Sequence, residues 1–80
     1  MSMNNLLSQV KPGTTATITK VSVTGVIAQR LTDMGIIVGD SIRVTKVSPF
    51  GDPIEVKVKN YHLSLRKSEA QYIHVTEYSI

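Results

Sequence analysis

The sequence predicts a mainly β fold with one short helix, arranged as a small, partly open barrel of about five strands. Apolar and polar residues alternate with a period of two in several segments, which is typical of strands with one buried face. One segment instead carries apolar residues at helical spacing. Turn-forming residues separate the segments, so we expect consecutive strands to pair in antiparallel fashion around a shared core.

The strand pattern is clearest at 54–59, where Ile, Val and Val alternate with Glu, Lys and Lys. Such alternation leaves one face buried and one face exposed to water. Four further segments show the same period or a β-branched composition, and we expect strands there: 15–20, 42–45, 62–66 and 73–76.

The helix is predicted between the first two strands. Ile27, Leu31 and Met34 recur at i, i+4 and i+7 and would share one apolar face over about three turns. Thr24 is the expected N-cap, because its hydroxyl can accept a bond from a free backbone N–H. Gly35 stands where a left-handed residue would end the helix.

Turn chemistry joins the remaining elements. Residues 48–53 contain two prolines and a glycine, and they predict a hairpin loop between the second and third strands. Asn60 tolerates a positive φ angle and predicts a tight turn before the fourth strand. Residues 68–71 predict a single 3₁₀ turn before the last strand.

Length and composition restrict the function. Eighty residues allow a single domain, 1–80, and the lack of cysteine excludes disulfides, thiolate metal ligands and a cysteine nucleophile. No Gly-x-Ser-x-Gly motif occurs, and no two carboxylates lie near enough in sequence to suggest an acid–base pair. We therefore expect no enzymatic activity.

Charge and hydropathy exclude two further classes. The net charge is only +3, and the densest basic site is the pair Arg66 and Lys67, so we expect no nucleic-acid binding. The longest nearly apolar stretch, 34–39, is far shorter than the roughly 18 residues of a membrane span. The first residues show no basic segment followed by an apolar run, so we expect no secretory signal.

Two features could bind something. His62 and His74 lie on the polar faces of two strands that could be neighbours, and with Glu55 or Glu77 they could hold a transition metal ion. Two exposed histidines with nothing bound are the more ordinary interpretation. Phe50, at the tip of the 48–53 loop, either anchors a partner or folds over the mouth of the barrel.

Taken together, the motifs resemble the FeoA family, small cytoplasmic proteins of ferrous iron transport, from Leu7 to Val75. The family often has Pro where this chain has Val38, and Gly where it has Asn60. The segments that carry the resemblance are Arg-Leu-Thr-Asp-Met-Gly-Ile at 30–36, Val-Gly at 38–39, Phe-Gly-Asp-Pro-Ile at 50–54, Leu-Ser-Leu-Arg at 63–66 and Ile-His-Val at 73–75.

The resemblance implies an SH3-like barrel and a partner, the FeoB-like ferrous iron permease of the inner membrane with its cytoplasmic GTP-binding domain. It implies a cytoplasmic protein that reaches the membrane only through that partner. The family is often associated with transition metal binding. With no cysteine and two histidines, this chain offers at most a weak divalent metal site and no cofactor.

We therefore expect an accessory protein that docks on or regulates the permease. The alternative is a metal-responsive regulatory domain that uses His62 and His74. An uncovered barrel edge could also support weak self-association. The residues expected to contact the permease are Arg30, Asp33, Ile37 and Val38 around the helix and Phe50, Gly51, Asp52 and Pro53 in the loop.

Overall fold

Six antiparallel strands form one sheet in the order β1-β6-β2-β3-β4-β5. The computed structural model describes residues 2–78; the ends of the predicted 1–80 domain, Met1, Ser79 and Ile80, lie outside them. The elements are β1 (Ser2–Leu6), a 3₁₀ helix (Leu7–Gln9), β2 (Thr15–Val21), α1 (Val26–Asp33), β3 (Ser41–Val47), β4 (Ile54–Val58), β5 (Tyr61–Leu65), α2 (Lys67–Ala70) and β6 (Ile73–Tyr78). Within residues 2–78 no helix has the length and apolar character that a membrane crossing needs.

The predicted alternation buries one face of each central strand. In β4, residues 54, 56 and 58 are buried and residues 55 and 57 are exposed. Burial of an aliphatic side chain contributes roughly 1.5–3 kcal/mol, so the shared core is the main favourable term in folding. The buried apolar residues are Leu7, Val10, Ala16, Ile18, Leu31, Ile36, Ile42, Val44, Ile54, Val56, Val58, Leu65, Ala70, Ile73 and Val75.

Strand β1 is the element that the sequence pattern did not predict. It pairs with β6 along its whole length, from Ser2 opposite Tyr78 to Leu6 opposite His74. The described residues therefore contain six strands instead of about five. Its sequence is rich in asparagine, which is depleted in strands. Side-chain hydrogen bonds support the pairing: Asn5 Nδ2 donates to Glu77 Oε2 at 3.1 Å, and the Thr76 hydroxyl donates to Asn4 Oδ1 at 2.8 Å.

Helix α1 begins one residue later than predicted. Its N-cap is Gly25, with φ +77° and no side-chain cap, so the prediction of Thr24 was wrong. The helix has eight residues, about two turns instead of three. Only Leu31 is buried, while Ile27 remains exposed, because the short helix contacts the core along a narrow line.

The end of α1 follows the prediction. Gly35 has φ +99°, and its N–H donates to the Thr32 carbonyl at 2.9 Å. The N–H of Ile36 donates to the Leu31 carbonyl at 2.9 Å, which completes a Schellman motif. Ile36 is thereby turned into the core, where it is buried.

Tyr61, the first residue of β5, packs against this helix end. Its hydroxyl donates to the Met34 carbonyl at 3.3 Å, and a Cβ atom placed on Gly35 would overlap that hydroxyl. A glycine is therefore required at position 35 for two reasons, the positive φ and the closeness of Tyr61.

The turns differ from the predictions in detail. The positive φ before β5 belongs to Lys59, at +55°, and not to Asn60. Lys59 also pairs with Asp40, just before the neighbouring strand β3, with Nζ 3.5 Å from Oδ2. The turn expected at 68–71 is a single α-helical turn, α2, which begins one residue earlier. The predicted hairpin loop between β3 and β4 is present.

Gly35→Ala should destabilise the fold more than Gly13→Ala. Both glycines have positive φ, but nothing lies within 4 Å of a Cβ atom at Gly13. Each alanine should cost about 1–2 kcal/mol for its backbone conformation. Gly35→Ala should cost about 1 kcal/mol more, because it displaces the Tyr61–Met34 hydrogen bond. Urea unfolding measures the free-energy loss of each variant. The difference between the two losses should shrink when both are measured in a Tyr61→Phe background. Equal losses of Gly35→Ala and Gly13→Ala in the wild-type background would show that the Tyr61 contact contributes nothing.

Candidate functional site

Helix α2 connects two distant segments through its N-terminus. The N–H of Lys67 donates to Asp52 Oδ1 at 3.0 Å, and the N–H of Arg66 donates to Glu69 Oε1 at 2.9 Å. These bonds satisfy two backbone donors that a helix start leaves without partners. Ala70 is fully buried and holds the turn against the core.

Glu69 also links α2 to α1. Its Oε2 lies 3.5 Å from Arg30 Nη2, and its side chain is 14% exposed whereas that of Arg30 is 67% exposed. The carboxylate is therefore held in place by two partners, while most of the guanidinium remains accessible. Between the helices lies a groove, lined by Ile27, Arg30, Arg66, Ser68, Glu69 and Tyr72.

The hydrogen bond to Asp52 positions the loop between β3 and β4. Gly51 adopts φ +82°, and its N–H donates to the Ser48 carbonyl at 2.7 Å, which closes the loop. Phe50 stands at the tip with 94% of its surface exposed, so it does not fold over the mouth of the barrel. The loop that exposes this aromatic side chain is thus fixed by a hydrogen bond within it and by another from α2.

The structure brings part of the predicted docking set together. Arg30 and the 50–53 loop both connect to α2, one through Glu69 and the other through Asp52. We call the exposed side chains around α2 the helix–loop surface, and its members are Ile27, Arg30, Phe50, Arg66 and Lys67.

Other predicted residues lie elsewhere or act within the fold. Ile37 and Val38 are exposed beyond the C-terminus of α1. Asp33 accepts a hydrogen bond from Gln29 Nε2 at 2.9 Å on the outer side of α1. Asp52 is engaged by the backbone of Lys67, so its carboxylate positions the loop.

Sequence reasoning missed the contribution of α2. Arg66 and Lys67 were visible as the densest basic pair, but the pattern did not indicate that they would lie beside the 50–53 loop. The exposure of Ile27 was also missed, because its spacing from Leu31 and Met34 suits a buried helix face. The available signal in the sequence was that it contains more apolar residues than the core needs, which indicates that some of them lie on the surface.

The FeoA domain family model matches residues 5–77 of the chain. The chain belongs to the FeoA family. It is 35% identical over 69 residues to a protein of Porphyromonas gingivalis described as an Fe(2+) transport protein A/Fe(2+) transporter FeoB fusion protein. That match covers 86% of this chain, which spans 8% of the length of the fusion protein.

Solved FeoA structures share the fold. The solution structure of iron(II) transport protein A from Clostridium thermocellum has a TM-score of 0.89 and 38% identity, covering 91% of this chain and 45% of that one. The crystal structure of Stenotrophomonas maltophilia FeoA complexed with zinc, described as a prokaryotic SH3 domain protein, has a TM-score of 0.79 and 30% identity. It covers 91% of this chain and 95% of that one. The resemblance to FeoA and the SH3-like fold are therefore confirmed.

The histidines of this FeoA protein are not on neighbouring strands. His62 lies on β5 opposite Lys57, and His74 lies on β6 opposite Leu6 and Lys20. Three strands separate β5 from β6 in the sheet, so the expectation that these strands adjoin was wrong.

The candidate carboxylates do not complete a metal site either. Glu55 lies opposite Ser64, and Glu77 is hydrogen-bonded to Asn5. Across residues 2–78, no three His, Cys, Asp or Glu side chains come close enough to hold a metal ion together.

Glu69→Ala should lower the free energy of unfolding by about 1 kcal/mol, because the N–H of Arg66 loses its acceptor. Glu69→Gln should cost less, since an amide oxygen can still accept that bond. Arg30→Met should cost about 0–1 kcal/mol, as expected for an ion pair with an exposed partner. Chemical denaturation of the three variants checks the order of these free-energy losses. If Arg30→Met lost as much stability as Glu69→Ala, the stabilising effect of Glu69 would come from the ion pair and not from the hydrogen bond to the Arg66 N–H.

Proposed function

We propose that this FeoA protein is a non-enzymatic accessory protein of ferrous iron uptake that docks on the cytoplasmic portion of a FeoB-type permease. The observation that carries this proposal is Phe50, 94% exposed on a loop held by Asp52. The fusion of transport protein A to FeoB in the Porphyromonas gingivalis relative supports the choice of partner. A cytoplasmic location follows from that partner.

Phe50 has the properties of a binding anchor. A large aromatic side chain that enters a partner's pocket removes its apolar surface from water and contributes roughly 1.5–3 kcal/mol. The Asp52–Lys67 hydrogen bond restrains the loop before binding, so less conformational entropy is lost on docking. Ile27 adds exposed aliphatic surface on the α1 side of α2.

The rim of the helix–loop surface is basic. Lys67 Nζ lies near Gly51, and Arg66 borders both the α1–α2 groove and a depression beside Asp52. Arg30 is partly offset by Glu69. A partner with an apolar pocket and acidic residues around it would complement this surface and associate faster at low ionic strength.

The proposed role involves no bond-making chemistry by this chain. The sequence contains no nucleophile–base set, and cysteine is absent. Ferrous iron is the cargo of the permease in this proposal. Docking could alter GTP hydrolysis by the permease, and the same binding experiment can include that measurement.

Phe50→Ala should leave the fold intact and weaken docking about tenfold or more, as expected for a hot-spot residue. The measurement is binding of the full chain to the purified cytoplasmic portion of a FeoB-type permease, with GTP hydrolysis recorded in parallel. Met3→Ala is the matched control, because Met3 is also an exposed apolar residue but lies on β1. Unchanged binding by Phe50→Ala would remove the loop from the proposal.

Calorimetric titration with Co(II) tests the metal-responsive alternative. We expect no saturable heat at micromolar protein, because His62 and His74 lie on separated strands. Wild type and the double variant His62→Ala/His74→Ala should also show the same thermal shift with metal. A saturable heat that the double variant loses would favour the metal-responsive domain instead.

A further inference from the structure

A row of basic side chains crosses the outer face of the sheet, away from the helix–loop surface. Arg43 of β3 lies directly opposite Lys57 of β4, and Lys57 lies directly opposite His62 of β5. All three residues are exposed. Directly opposed residues have Cβ atoms about 4.5–5.5 Å apart, so the row spans roughly 10 Å. We call these three residues the basic row.

The basic row is electrostatically unfavourable as it stands. Like charges directly opposite each other on neighbouring strands destabilise a sheet. Within residues 2–78 the ion pairs join Arg30 to Glu69 and Lys59 to Asp40, and neither involves the row. The carboxylate of Glu55 lies two positions along β4, where its register partner is Lys46. An anionic group placed along the row would relieve the repulsion.

The row ends at an open strand edge. Strand β5 is last in the sheet order and pairs with β4 alone among the described strands. No other backbone hydrogen bond in residues 2–78 involves residues 61–65. The outer edge of β5 therefore presents unpaired backbone N–H and C=O groups to another chain. On the inner side of this edge Leu63 is only half-buried.

We propose that the β5 edge binds an extended acidic segment of a partner protein as an added strand. In the partner segment, a carboxylate opposite His62 would extend the basic row with a negative charge. The next residue of that segment would face the other side of the sheet, where an apolar side chain would cover Leu63. Main-chain hydrogen bonds would supply affinity, and the alternation of acidic and apolar side chains would supply specificity. This site adjoins the helix–loop surface where Ser64 and Leu65 meet Arg66. Its evidence is the basic row and the open edge, so it does not rest on the docking role of Phe50.

A second copy of this chain suits the edge poorly. Two β5 strands paired antiparallel about His62 would place the two basic rows end to end, with the Lys57 of each copy one strand behind the new strand pair. Charge on an edge strand is a common device against self-pairing. The same charges favour a partner segment rich in glutamate or aspartate.

The test uses a capped heptapeptide in which valine and glutamate alternate, and a matched peptide with lysine in place of glutamate. The ¹⁵N-labelled full chain is titrated with each peptide at low salt. The glutamate peptide should shift the amide resonances of residues 61–65 and slow hydrogen exchange at His62 and Ser64, whose N–H groups face away from β4. The lysine peptide should do neither.

Charge-reversed variants locate the site. Lys57→Glu should weaken binding of the glutamate peptide roughly fivefold at low salt, because an attraction across the intervening strand β5, over about 10 Å, becomes a repulsion. Lys11→Glu makes the same change of net charge at an exposed position outside the row and should leave affinity within about twofold. An unchanged backbone amide spectrum confirms that each variant is folded.

Three results would overturn the proposal. One is equal binding of the two peptides, and another is an equal loss of affinity in Lys57→Glu and Lys11→Glu. The third is Lys57-dependent sedimentation with phosphatidylglycerol vesicles in the absence of peptide binding, which would assign the basic row to a membrane surface. Slowed exchange at His62 and Ser64 that depends on Lys57 supports the added strand.

Discussion

A shared aliphatic core, assembled without a covalent cross-link, is the constraint on which the rest of this structure depends. Each central strand places alternate aliphatic side chains into it, and α1 and α2 add only Leu31 and Ala70 as fully buried residues. With no cysteine and 80 residues, the chain has no disulfide to compensate for a poorly packed interior. Because the helices bury so few side chains, most of their surface is available for contacts outside the core.

The single turn of α2 shows how the core positions a surface. A helix of four residues has no stability of its own, since helix nucleation is unfavourable. Burial of Ala70 holds it on one side, and Asp52 and Glu69 satisfy its first backbone donors on the other. These two carboxylates come from different parts of the sequence. Asp52 joins the Phe50 loop to α2, and Glu69 joins α2 to Arg30 of α1, so α2 connects the loop and α1.

The two faces of the protein differ in chemical character. Around α2, exposed apolar side chains stand beside basic residues, a mixture typical of the centre and rim of an interface. The outer face of β3, β4 and β5 carries the basic row and few apolar groups, and it ends at an open edge. The proposed functions of the two faces follow from this difference, and each is tested by a variant of its own.

Local sequence patterns determined much of the fold. The period of two predicted β2 to β6, the glycine at position 35 predicted the helix end, and the proline-rich segment predicted the β3–β4 loop. The ordered set of motifs indicated the FeoA family, which the comparison confirmed. These signals work because helix periodicity, strand alternation and turn conformation depend on residues within a few positions of each other.

The tertiary structure alone decided what depends on distant pairing. The asparagines of β1 form hydrogen bonds with β6, more than 70 residues away. No local sequence pattern predicts such a distant partner. The separation of His62 from His74 follows from the strand order, as does the basic row. Asp52, expected to contact a partner, also accepts a hydrogen bond from the Lys67 N–H and so holds the loop that exposes Phe50. Sequence determined which residues prefer each local conformation, and burial of the common core decided which of them meet.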